Sequence, residues 1–138
     1  MKYLSKKQIN YIYHLADIHI RPLERHNEYR EVFNNLYEYL KIQDNLKESL
    51  IVICGDIIHE KDKLTPELII LFREFIVTLS SFTDVILFSG NHDLIENNKN
   101  RRPNLDALTI GLDNKRIFYL KESGLYEYGN IIFSLVSL

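Results

Sequence analysis

Three short segments gather most of the residues that could do chemistry: Asp17-Ile18-His19, Gly55-Asp56 and Gly90-Asn91-His92-Asp93. Each follows an apolar run, and none contains a thiol. Carboxylate, imidazole and amide oxygen together make a donor set for a moderately hard divalent cation, with Mn²⁺ preferred and Zn²⁺, Fe²⁺ and Mg²⁺ as alternatives. A carboxylate can span two such ions. Two ions about 3.5–4 Å apart would polarise a phosphoryl oxygen, activate a water and hold the attacking oxygen in line with the leaving group. The chemistry indicated is hydrolysis of a phosphoester.

Such a site forms only if the three segments converge, which is a demand on the elements before them. Tyr11 to Ala16 is apolar and aromatic and reads as a first strand. From about Asn27 to Leu46, the residues Tyr29, Val32, Phe33, Leu36, Tyr39 and Leu40 recur at helical spacing and predict one buried stripe. Leu50 to Cys54 is a continuous, β-branched run, the pattern of a strand covered on both faces. Thr65-Pro66-Glu67 predicts a capped helix start. That helix runs to about Leu79 and buries Leu68, Leu71, Phe72, Phe75, Ile76 and Leu79. Asp84 to Phe88 is a third strand, Leu105 to Leu112 a short helix, and Ile117–Tyr119, Leu125–Tyr128 and Ile131–Leu135 are later strands. Gly129-Asn130 predicts a tight hairpin between the last two.

A β-α-β-α-β start followed by short strands argues for a layered α/β fold with parallel central strands. Ligands gather at the carboxyl ends of such strands, which is where all three segments fall. Asp17 and His19 are two apart, so extended backbone would send both side chains to one side. Gly55 and Gly90 permit sharp exits from their strands.

The ordered set Asp17-x-His19, Gly55-Asp56 and Gly90-Asn91-His92-Asp93 resembles the first three signature motifs of calcineurin-like metallophosphoesterases. His14-Leu15-Ala16-Asp17-Ile18-His19, Gly55-Asp56-Ile57-Ile58-His59 and Arg102-Pro103-Asn104-Leu105-Asp106-Ala107-Leu108 further resemble the SbcD-type exonucleases of double-strand-break repair. The resemblance implies a β-sandwich flanked by helices and manganese-dependent hydrolysis of DNA phosphodiesters, in exonuclease or endonuclease form. It implies Asp17 and His19 as ligands of the first metal, Asp56 as the bridge and Asn91 as ligand of the second. His92 would stabilise or protonate the departing oxygen, Asp93 would orient its ring, and His59 would handle substrate. DNA is the implied partner, with a large ATPase of the SbcC type or a homodimer also open.

The family completes its site with a further histidine and a Gly-His-x-His segment, and nothing here corresponds to them. All five histidines, His14, His19, His26, His59 and His92, lie at or before the third motif. The expectation is that residues 1–138 are the N-terminal part of one phosphoesterase domain, cut short of the later ligands. Three other readings stand beside this: a non-catalytic binding or assembly module, a half-site completed by another chain, and a nucleotide or protein phosphatase using the same ions.

The remaining features bound these readings. A net charge of -2 excludes a global basic field, so affinity for phosphate must be local. The run Lys99-Asn100-Arg101-Arg102 reads first as a solvated loop, and Arg21, Arg101 and Arg102 are secondary candidates for contact with substrate phosphates. His14 reads as a packed or hydrogen-bonded strand histidine and His26 as a surface or capping residue. Cys54, the single cysteine, reads as a small buried strand residue and excludes an internal disulfide. With no signal-like or membrane-length apolar run, the expected setting is soluble and intracellular, cytoplasm or nucleus, with no membrane contact.

Overall fold

The computed structural model describes residues 1–60, 63–90 and 104–136. Its elements run β1 (Lys2–Ser5), β2 (Tyr11–Leu15), α1 (His26–Lys41), β3 (Ser49–Cys54), α2 (Pro66–Phe82), β4 (Val85–Phe88), α3 (Asn104–Thr109), β5 (Ile117–Leu120), β6 (Gly124–Tyr128) and β7 (Ile131–Leu135). Four of the strands form a fully parallel sheet in the order β2-β3-β4-β5. The others form a second sheet, β1-β6-β7, in which β1 runs parallel to β6 and the β6–β7 hairpin is antiparallel.

The alternation of side chains along the central strands makes two cores. Ile51, Ile53, Val85 and Leu87 face the helices and pack with Phe33, Leu40, Leu68, Leu71, Phe72, Phe75, Ile76 and Leu79. Leu50, Val52 and Ile86 point the other way and pack with Leu120, Tyr126 and Tyr128 between the sheets. This double covering is what the uninterrupted apolar text of β3 required. The layered α/β arrangement, one helical layer over two sheets, is the architecture expected.

The helices follow their sequence signals with instructive exceptions. Thr65 caps α2 by accepting the Leu68 N–H at 3.2 Å, with Pro66 in the first turn. The predicted stripe of α2 is buried in full. Helix α1 ends at Lys41 rather than near Leu46, because the residues beyond it find other partners. The Gln43 N–H turns back to the Leu40 carbonyl at 3.1 Å, while the Asn45 side chain accepts from the Tyr13 hydroxyl at 2.7 Å. Such local bonding competes with helix continuation. On α1, Val32 (61% exposed) and Tyr39 (53% exposed) leave the predicted stripe, and Tyr37 joins the core edge instead.

Strand β1 and the β6–β7 turn are tied to the segment leading into β2. The Asn130 side chain accepts the Ile9 N–H at 2.8 Å and donates to the Ile9 carbonyl at 2.9 Å, standing in for a strand partner of a buried residue. At the amino end of the parallel sheet, the Tyr128 hydroxyl donates to Asp84 at 2.5 Å and Arg116 pairs with the same carboxylate at 3.2 Å. Burial, and then the bond to Asp84, push the Tyr128 phenol well above its ordinary pKa. Among the described residues no helix is long and apolar enough to cross a membrane.

Candidate metal centre

Strands β2 and β3 both end where the candidate donors begin. Gly55 leaves β3 with φ +69°, and the next residue, Asp56, is also left-handed at φ 50°. The chain after β4 passes so close that a Cβ on Gly55 would lie 2.7 Å from the Gly90 Cα and 2.8 Å from its nitrogen. A Cβ on Gly90 would lie 2.5 Å from the Asp56 nitrogen, 2.9 Å from its Cγ, and would overlap its carboxylate oxygen. Two glycines are therefore needed for the second and third segments to meet, and their contact sets where the Asp56 carboxylate stands.

Asp17 and His19 reach the same place by a different route from the one their spacing suggested. The strand stops at Leu15, and both residues are left-handed, Asp17 at φ 53° and His19 at φ 51°. The extended-strand parity predicted for them is thus replaced by two αL residues, a conformation that Asp and His tolerate better than most. Such residues cost on the order of 1–3 kcal/mol each and persist where surrounding bonds over-determine them. Here the His19 N–H donates to the Asp56 carbonyl at 2.9 Å, the Ile20 N–H to the Ile57 carbonyl at 2.7 Å and the His59 N–H to the Ile20 carbonyl at 2.9 Å. Ile20 and Ile58 form a parallel bridge, and Ile20, Ile57 and Ile58 are fully buried. The two donor-bearing loops are zipped together on an apolar base.

One donor atom from each of Asp17, His19 and Asp56 lies within 4.8 Å of the others. The His19 Nε2 is 3.6 Å from an Asp17 carboxylate oxygen, with the Asp17 side chain 74% exposed and that of His19 30%. Ligand bonds of about 2.0–2.2 Å hold neighbouring donors roughly 3 Å apart, so this cluster closes around a divalent cation with small side-chain adjustments. Two carboxylates and an imidazole also match the charge and hardness of such an ion. The residues fit.

The other candidates divide. The His59 ring stands 5.8 Å from that of His19, nearly perpendicular to it, and so borders the cluster. Arg21 is turned to Glu24 in a partly exposed ion pair at 3.2 Å. His26 opens α1, and its Nε2 lies 2.6 Å from the Arg21 carbonyl. His14 is exposed, not packed, because β2 is the edge strand of its sheet. Cys54 is half-buried against the inter-sheet core, where burial raises its thiol pKa. Asn91, His92, Asp93, Arg101 and Arg102 lie outside the described residues. Sequence reasoning passed over the role of Tyr29, whose hydroxyl donates to the His19 carbonyl at 2.5 Å; its place on an apolar stripe gave no sign of this.

Because the Gly90 Cα sits against the Asp56 carboxylate, Gly90→Ala is expected to displace that side chain. Overpacking of this kind costs about 1–3 kcal/mol. Affinity for a divalent cation is expected to fall by about tenfold or more, as for other changes to the groups that seat a ligand. Urea unfolding and calorimetric titration of the same sample check the two effects separately.

Residues 11–138 match the family model described as calcineurin-like phosphoesterase. A protein of Acanthamoeba polyphaga mimivirus, described as uncharacterized protein R555, is 47% identical over 138 residues. That similarity covers 97% of the present chain and 10% of the relative, so the chain spans about a tenth of the relative's length.

Proposed function

The chain belongs to the calcineurin-like phosphoesterase family, and from that premise we propose that Asp17, His19 and Asp56 serve a divalent-metal site that hydrolyses phosphodiesters, with DNA as the substrate. The observation that carries the reading is the convergence of three donors, from two loops at one sheet edge, to within 4.8 Å. Asp17 and His19 would hold a first cation and Asp56 would reach a second, for which Asn91 is the further candidate ligand. When bound, divalent cations supply Lewis-acid polarisation of the phosphoryl group and offset the charge that builds there on attack.

The protein's own groups do the rest. The exposed Asp17 side chain leaves the cluster open to a polymeric substrate approaching along the sheet edge. His59, whose ring borders that of His19, is the candidate for handling substrate. His92, whose ring Asp93 would orient, is the candidate donor to the departing oxygen. Arg21, Arg101 and Arg102 are candidates for the neighbouring phosphates, and Mn²⁺ is the preferred ion.

The choice of DNA over a nucleotide or phosphoprotein rests on the segments around His59 and Arg102 that resemble the SbcD-type nucleases. A large ATPase partner follows from the same resemblance. The test is to give the full-length protein Mn²⁺ and compare single-stranded DNA, duplex ends and an aryl phosphodiester. Cleavage of DNA that stops on chelation and returns with Mn²⁺ is the expected result. Turnover of phosphomonoesters alone would remove the nuclease reading.

A further inference from the structure

Resting on Asp17, His19 and Asp56 as metal ligands, we propose that Tyr29 is a positioning residue that fixes His19 for the cation from the first turns of α1. The segment between β2 and α1 carries three left-handed residues, Asp17, His19 and Arg25, so it needs external bonds to keep its shape. Among the described residues, three side chains grip its carbonyls. His26 meets Arg21, Thr65 at the cap of α2 donates to Pro22, and Tyr29 donates to His19. The grip of Tyr29 is the one that lands on the donor cluster.

The bond completes a clamp on a single residue. His19 donates its N–H to the Asp56 carbonyl at 2.9 Å and accepts from the Tyr29 hydroxyl at 2.5 Å, so the peptides on both sides of its Cα are held. With both ends fixed, φ stays at 51° and the imidazole stays beside the Asp17 carboxylate at 3.6 Å. The Tyr29 ring is itself braced. It lies 6.0 Å from the Phe33 ring and 6.4 Å from that of His26, and its own N–H is helical, bonded to the Arg25 carbonyl at 3.0 Å. Removing one hydroxyl therefore releases the His19 carbonyl without emptying the core. The cluster must then be gathered by the cation at the moment of binding, and affinity falls.

The test uses the whole chain, titrated with Mn²⁺ by calorimetry. Tyr29→Phe is expected to weaken binding by about tenfold, the usual loss when a group orienting a ligand is removed. Tyr39→Phe, on the exposed side of the same helix, is expected to leave it unchanged. In a His19→Ala background the Tyr29→Phe loss is expected to vanish, because the two act as one unit. Without metal, hydrogen exchange at the His19 amide is expected to quicken in Tyr29→Phe while the strands stay protected. Unaltered Mn²⁺ affinity, or an equal loss in the His19→Ala background, would overturn the proposal. Faster exchange across the entire chain would overturn it too, by making Tyr29 a general structural residue. A wild-type chain that takes up no Mn²⁺ would defeat the ligand reading instead, and exchange at the His19 amide would still decide the role of Tyr29.

Discussion

Asp56→Asn is expected to lower hydrolysis by the full-length protein by about three orders of magnitude or more, roughly 4 kcal/mol of transition-state stabilisation. The substitution keeps the shape of the side chain and, because Asn also tolerates the left-handed region, the backbone at φ 50°. The Asp56 carbonyl would still receive the His19 N–H. What disappears is one negative charge at the centre of the donor cluster. Steady-state kinetics of the full-length variant, with circular dichroism to confirm an intact fold, measure the effect. A variant retaining a tenth of the activity would show that the cluster is not where the chemistry happens.

Phe75→Ala is expected to be the most damaging core change, destabilising the fold by about 3–5 kcal/mol. Phe75 is buried between α1 and α2, stacked on Phe33 with ring centroids 3.9 Å apart and planes 18° apart, and it also meets Tyr37. Against a total stability of about 5–15 kcal/mol for a domain of this kind, the loss would remove roughly a fifth or more of the margin. The urea midpoint, at an unchanged slope, measures it. A cost below about 1 kcal/mol would mean that the helices close over the gap, contrary to ordinary core behaviour.

The parallel sheet was legible because its physics is written locally. Strands covered on both faces must be continuously apolar, and β3 and β4 are. The Thr65-Pro66 signal and the α2 stripe were equally local, and every residue expected there is buried. Strand β1 was not legible: Lys2 to Ser5 is short, and its partners, Tyr126 to Tyr128, lie at the far end of the text. Val32 and Tyr39 were misplaced because spacing gives the stripe of a helix without telling how far the sheet beneath it extends. At the site, residue types picked out Asp17, His19 and Asp56, which the fold brings together, and Gly55 announced its turn. The left-handed backbone of Asp17 and His19 was hidden, since His19 is held by bonds to Asp56 and Tyr29 that no local pattern encodes.

The clasp between Asn130 and Ile9 joins positions 121 residues apart. Ile9 can therefore take its final neighbours only after Asn130 has been synthesised. Loop closure over such a span is slow compared with helix formation. The helical layer and β2-β3-β4 have their contacts within earlier reach, so on a ribosome they would assemble first. Lys2 to Ser5 would then wait, unpaired, for β6. Until β6 has emerged, the nascent chain thus carries an exposed strand edge, an interval in which a holding chaperone would protect yield.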